Sequence, residues 1–272
     1  MIELKCSKGK LVAIGGGEDK NDRLEILSRL LDEAKGIESV IEVITTASRV
    51  PHELERIYED AFKKLYAKNV HAINISSNKE ANREYNIKRL KGADIIFFTG
   101  GDQLRLTSIL GGSEFLEAIK TSYESGALIA GTSAGAAALS DTMIYRGESR
   151  LGLIKSNVCT TEGFNFIENV VFDTHFINRG RFLRLFQVVA TNPKCVGIGL
   201  SEDTSVFFKN KHIFEVIGSG SVVVVDGSHI KNTNISEINN GDLIAIENFH
   251  VHTLINGYKY DLKTRTPIPP SL

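Results

Sequence analysis

Short apolar runs alternating with helical stretches constrain the fold of this chain more than any other feature. Residues 11–14, 40–46, 70–75, 95–98 and 127–130 are each brief, mostly apolar and bounded by turn residues. Between them lie residues at helical spacing. Leu24, Leu27, Leu30, Leu31 and Ala34 follow Asp22, which reads as an N-cap for a helix ending at Gly36. Leu54, Ile57, Tyr58, Ala61, Phe62 and Leu65 follow Pro51. A polar helix is expected over residues 80–91. Strands apolar on both faces need cover on both faces, so the pattern predicts an α/β fold: a doubly wound, mostly parallel sheet with helices on both sides. From Val196 the pattern changes to short strands separated by turn signals such as Asp226-Gly227 and Asn240-Gly241. One domain over residues 1–272 is expected, with a doubly wound core over 1–204 and a β-rich C-terminal extension and tail over 205–272.

The 272 residues carry a net charge of −1, which gives no reason to expect nucleic acid or a membrane surface as a partner. No apolar run reaches membrane-spanning length, and the N-terminal stretch lacks an apolar signal core. Cys6, Cys159 and Cys195 are odd in number and widely spaced. They predict free thiols in a reducing compartment rather than a disulfide frame or a zinc site, so a cytoplasmic protein without metal is expected.

The chemistry gathers where the apolar runs end. After the run 127–130 stands Gly131-Thr-Ser-Ala-Gly135, then Ala136-Ala-Ala-Leu139, strong helix formers. Ser133 therefore falls in a strand-to-helix turn flanked by glycines, the geometry of a nucleophile elbow, with the Ala134 N–H at a helix start and free to face an oxyanion. A turn serving only close packing, or a phosphate cradle, fits the pentapeptide equally well. Thr99-Gly-Gly-Asp-Gln103 closes the run 95–98 at the same sheet edge, where the ligands of open α/β sheets collect. Gly101 can bring a second N–H close to a substrate oxygen, and Gln103 can hold a substrate amide or carboxylate. The stretch Val170-Val-Phe172-Asp173-Thr174-His175-Phe176 reads as an apolar strand that delivers His175 at its end, the first candidate for a general base. Arg179, Arg181 and Arg184 follow, suited to a substrate carboxylate or to a solvated helix face. Gly15-Gly-Gly17 lacks the spacing of a dinucleotide turn, and a nucleotide site there is a distant alternative.

Taken together, Ile14-Gly-Gly-Gly-Glu-Asp19, Thr99-Gly-Gly-Asp-Gln103, Gly131-Thr-Ser-Ala-Gly-Ala136, Asp173-Thr-His-Phe176 with Arg179, Arg181 and Arg184, and Gly197-Ile-Gly-Leu-Ser-Glu-Asp-Thr204 resemble the cyanophycinase family of serine peptidases, whose smaller relatives include the aspartyl dipeptidase called dipeptidase E. The stretches stand in the family's order over about residues 10–225. The resemblance implies a sheet architecture related to class I glutamine amidotransferases, Ser133 as nucleophile, His175 as base, and Gly101 and Ala134 as oxyanion donors. It also implies a substrate pocket lined by Gln103, Asp173, Thr174, Arg179, Arg181 and Arg184. For the acid that orients the histidine, Glu148 is chosen, because it lies between serine and histidine where the family places that acid; Glu162 and Glu202 follow. Thr174 stands where members that degrade cyanophycin usually carry glutamine.

What the resemblance implies is a serine exopeptidase, without cofactor or metal. Its substrate would be cyanophycin, the arginine-decorated polyaspartate, released as β-aspartyl-arginine dipeptides. An aspartyl dipeptidase acting on small acidic peptides and a non-catalytic acidic-peptide binder are the alternatives. Members of the family often form dimers, so a homodimer is among the expectations.

Overall fold

The computed structural model describes residues 9–270; Cys6 and the N-terminal stretch before Gly9 lie outside the described residues. In chain order the elements are β1 (Lys10–Ile14), α1 (Glu25–Asp32), β2 (Val40–Ile44), α2 (Pro51–Lys64), β3 (Asn69–Ile73), α3 (Asn78–Ala81), α4 (Glu84–Leu90), β4 (Ile95–Phe98), α5 (Gln103–Leu110), α6 (Glu114–Ser125), β5 (Leu128–Thr132), α7 (Ala134–Ala137), β6 (Thr142–Arg146), β7 (Cys159–Glu162), β8 (Val170–Asp173), α8 (Phe182–Thr191) and β9 (Val196–Leu200). The strands β10 (Thr204–Phe208), β11 (Ile213–Gly218), β12 (Ser221–Asp226), β13 (Asn232–Thr233), β14 (Ile246–Glu247), β15 (His250–Ile255), β16 (Lys259–Asp261) and β17 (Thr266–Ile268) follow.

The main sheet has nine strands in the order β17-β16-β11-β10-β1-β5-β4-β2-β3. The run β1-β5-β4-β2-β3 is parallel, and β10, β11, β16 and β17 extend it antiparallel. A second sheet, β15-β12-β9-β8, lies against one face. Alternation along β4 explains the layering. Ile95 and Phe97 point to the interior under α1 and α2, with Leu27, Leu30, Tyr58 and Phe62. Ile96 and Phe98 point the other way, into an interior shared by α5, α6 and the inner face of the second sheet, with Leu106, Phe115, Phe172, Ile198 and Val224. The outer face of the second sheet, Val171, Val223 and Val225, is covered by Leu185, Val188 and Val189 of α8. Nearly every one of these side chains is fully removed from water, and such burial stabilises by about 1.5–3 kcal/mol each.

The doubly wound architecture stands as expected; several local readings change. Asp22 does not cap α1. Asp19 folds back instead, and its carboxylate accepts the N–H groups of residues 21 to 24 at 2.6 to 3.1 Å, leaving Leu24 in a left-handed conformation at the helix start. The helix ends at Asp32, four residues before Gly36, which opens a separate 3₁₀ turn. The expected polar helix over 80–91 is broken between α3 and α4 at Asn82 and Arg83. Leu243 to Ile246 reads as one of the short strands after Val196, but only Ile246 of it enters a strand. Cys159 and Cys195 are free thiols. Among the described residues, no helix is long and apolar enough to cross a membrane.

Candidate active site

β1, β4 and β5 end at the same edge of the parallel sheet, with Ile14 opposite Thr132 and Phe98 opposite Gly131. The chain must turn from β5 into α7 within one residue, and Ser133 takes that turn at φ 52° and ψ −108°. This backbone is outside the ordinary range for a residue with a side chain. It costs on the order of 1–3 kcal/mol and survives only where the surroundings fix it. They do. A Cβ on Gly131 would lie 2.5 Å from the carbonyl carbon of Gly135, and one on Gly135 would lie 2.4 Å from the carbonyl oxygen of Phe98. The two glycines let α7 sit directly on the sheet and push the Ser133 hydroxyl outward.

There it meets a histidine delivered by the second sheet. His175 follows β8 in a left-handed conformation, φ 49°. Its Nε2 lies 2.9 Å from Ser133 Oγ, and its Nδ1 lies 2.7 Å from Glu202 Oε1. Glu202 occupies the turn between β9 and β10, and its other oxygen accepts from Asn178 Nδ2 at 3.2 Å. The carboxylate on the histidine is thus Glu202, the third choice from sequence, and not Glu148 or Glu162. Glu148 lies after β6 in a separate depression beside Arg146, Ser156 and Cys159, and its backbone N–H donates to Asn157. Glu162 ends β7, paired to Thr142 of β6. Chain order pointed to the segment between serine and histidine; the turn after β9 crosses from the second sheet to the main one and carries Glu202 past the imidazole.

A cavity of about 260 Å³ opens beside Ser133. Gly101, Gln103, Ala134, Asp173, Thr174, Arg179, Arg181 and Arg184 all line it, so the expected pocket residues come together. Two of the three arginines, offered by the sequence for a substrate carboxylate, are engaged by a carboxylate of the protein itself. The Asp173 carboxylate, buried at the end of β8, accepts from Arg184 Nε at 2.6 Å and from Arg184 Nη2, and Arg181 approaches it at 3.3 Å. Arg184 also donates to the Gly147 carbonyl at 3.2 Å, and Arg181 to the Thr174 carbonyl at 2.7 Å. Arg179 and Arg181 precede α8, which begins at Phe182, so they do not form the solvated helix face that was the alternative. Arg179 has no ion-pair partner among the described residues. Three guanidinium groups against one carboxylate leave the cavity positive. Burial pushes Arg181 down to about 10, against the attraction of Asp173, so it keeps its charge at neutral pH. Gln103 is anchored through its amide nitrogen, which donates to the Ile144 carbonyl at 3.0 Å.

Asp173 therefore holds the cavity wall together, and removing its charge strands a buried cation. Asp173→Asn is expected to destabilise the fold by about 3–5 kcal/mol, as breaking a buried ion pair does. For a chain of this size that lowers the thermal midpoint by on the order of 10 °C, readable in a melt followed by circular dichroism. A midpoint unchanged from wild type would contradict the assignment.

The family follows from these stretches. The model of peptidase family S51 matches residues 11–216, so the chain belongs to that family and is a serine-type peptidase. It is 35% identical over 258 residues to a cyanophycinase of Synechococcus elongatus, covering 94% of this chain and 80% of the relative. It is 34% identical over 262 residues to a cyanophycinase of Geminocystis herdmanii, covering 96% of both chains. Among solved structures, a peptidase from an acI-B1 Actinobacterium superposes with a TM-score of 0.69 at 20% identity, over 93% of this chain and 96% of that one. A putative peptidase E protein from Listeria monocytogenes EGD-e gives 0.53 at 19% identity, over 78% and 98%. Both likenesses concern the fold.

Proposed function

We propose that this protein is an exopeptidase that degrades cyanophycin to β-aspartyl-arginine dipeptides, with Ser133, His175 and Glu202 as its catalytic residues. The observation that carries this reading is the unbroken relay Ser133 Oγ to His175 Nε2 to His175 Nδ1 to Glu202, opening on a cationic cavity in a relative of cyanophycinases. His175 with its proton on Nδ1, donated to Glu202, leaves Nε2 bare to take the Ser133 proton as the hydroxyl attacks the scissile carbonyl. The oxyanion forms next to the N–H groups of Gly101 and Ala134, two residues that line the cavity with Ser133. His175 returns the proton to the leaving amine, and water clears the acyl-enzyme by the same route. The net positive charge of Arg179, Arg181 and Arg184 over Asp173 suits a substrate with carboxylates next to the scissile bond. The two free thiols agree with a reducing compartment such as the cytoplasm.

Thr174 favours a second reading, an aspartyl dipeptidase on small peptides, because threonine is shorter than the glutamine expected there and offers no amide. One assay separates the two. The protein is incubated with purified insoluble cyanophycin and, in parallel, with Asp-X dipeptides, and products are resolved by mass spectrometry. Release of β-aspartyl-arginine from the polymer is expected. Cleaved dipeptides beside intact polymer would move the protein to the dipeptidase reading.

A further inference from the structure

The glycine-rich turn after β1 and the acid that follows it carry no role in the reading above, yet every catalytic element hangs on them. Three successive carbonyls in this turn hold the three arms of the relay. Ile14 O accepts the Ser133 N–H at 3.0 Å, Gly15 O accepts the His175 N–H at 2.8 Å, and Gly16 O accepts the Asp203 N–H at 2.9 Å, one residue beyond Glu202. The Gly15 N–H donates to Thr204 O at 2.9 Å, so the turn is bonded on both sides. It is also in contact with the reacting side chains: a Cβ on Gly16 would lie 2.4 Å from His175 Cε1. Each glycine has its own close neighbour: a Cβ on Gly15 would strike the Ser201 carbonyl oxygen, Gly16 carries the imidazole, and Gly17 lies against the Glu202 side chain.

What fixes the turn is its next residue. Glu18 is 3% exposed, and burying a carboxylate is costly unless its oxygens are satisfied. One oxygen accepts from the Thr132 hydroxyl at 2.6 Å; the other accepts from the Tyr58 hydroxyl and pairs with Lys20 Nζ at 3.0 Å. Burial and the Glu18 carboxylate hold the Tyr58 phenol well above its ordinary range, so it stays a donor. Thr132 is the last residue of β5, immediately before the strained Ser133. The carboxylate thus joins the turn that positions histidine and acid to the strand that positions the serine.

We propose that Glu18 is a positioning residue: through Thr132 and Tyr58 it locks the turn 14–17 against the Ser133 elbow, and turnover depends on that lock. The inference rests on the reading of Ser133, His175 and Glu202 as the catalytic residues. Misplacing reacting groups by about 1 Å costs on the order of a hundredfold in rate, so loosening the lock acts on turnover more than on substrate binding.

The test compares Glu18→Gln, Thr132→Val, Thr132→Ser and the double variant Glu18→Gln/Thr132→Val, with Ser133→Ala as control. Active sites are counted by exhaustive labelling with a fluorophosphonate, so that kcat refers only to folded, reactive protein. Glu18→Gln and Thr132→Val are each expected to lower kcat per labelled site by at least about tenfold with KM nearly unchanged, and to slow labelling in parallel. Thr132→Ser keeps the hydroxyl and is expected to keep the rate. Because both single changes break one contact, the double variant is expected to be no worse than the slower single one. A purely structural role would lower the thermal midpoint and the labelled fraction but leave kcat per site unchanged, and that result overturns the proposal. So do additive effects in the double variant. Should Glu18→Gln fail to fold, the pair Thr132→Val and Thr132→Ser decides alone. Undiminished turnover by Ser133→Ala would instead overturn the catalytic reading itself, and the lock with it.

Discussion

Ser133→Ala is expected to abolish turnover, by a factor on the order of 10⁵ to 10⁶ in kcat, while leaving the fold intact. The substitution keeps the Cβ and therefore the packing of the elbow. It removes only the hydroxyl and its 2.9 Å contact with His175. Alanine inherits the same φ of 52°, so the strain neither grows nor is relieved. The thermal midpoint should stay within a few degrees of wild type, since no buried group loses a partner except the partly exposed imidazole. The paired measurement is kcat for β-aspartyl-arginine release against the midpoint from the same preparation. A stable, inactive variant identifies the nucleophile. A stable variant retaining more than about a tenth of the wild-type rate would rule Ser133 out, because an elbow without its oxygen keeps only binding and oxyanion contacts.

The second large effect separates two glutamates. Glu202→Gln is expected to cost on the order of 10³ to 10⁴ in kcat, and Glu148→Gln to cost nothing measurable. The glutamine amide at position 202 can turn its N–H₂ toward His175 Nδ1. Nδ1 then becomes the acceptor, which places the ring proton on Nε2, where it blocks proton transfer from Ser133. The charge that steadies the imidazolium is lost as well. The Glu202 side chain is 41% exposed, so water relieves part of this second loss and the lower end of the range is the safer expectation. Assaying both variants on one substrate makes the comparison internal. A silent Glu202→Gln beside a disabled Glu148→Gln would reverse the assignment.

The parallel half of the main sheet was legible because its central strands β1, β4 and β5 are buried and read as nearly continuous apolar runs, while the edge strand β3 keeps His71 in water. The partition of strands between two sheets was not. Val196–Leu200 reads as the first of the short strands that end the chain, and only its pairing with β8 and β12 places it in the second layer. The serine and histidine could be read because each sits beside its own local signal: flanking glycines in one case, the end of an apolar run in the other. The acid could not, since Glu202 reaches His175 from 27 residues further along the chain through a left-handed turn at Asp203. The arginine run misled for a related reason. Arg181 and Arg184 look unpartnered in the sequence, whereas Asp173 sits close by at the buried end of a strand and draws both toward itself. Helix ends were misjudged where a side chain outside the helix took over the capping, as Asp19 does for α1.

The proposed nucleophile rides on one sheet and its base on the other: Ser133 directly follows β5 of the main layer, while His175 lies two residues past the end of β8 of the second. The 2.9 Å contact between them is therefore a measure of how the two layers are seated on one another, maintained across an interior filled by Phe172, Ile198, Phe208 and Val224. A small sideways slip of one layer over the other lengthens that contact well before any of those side chains meets water. In such a protein catalysis fails as a matter of alignment first and of unfolding second, and changes deep in the shared interior, far from any substrate, belong to the active site as much as the residues that line it.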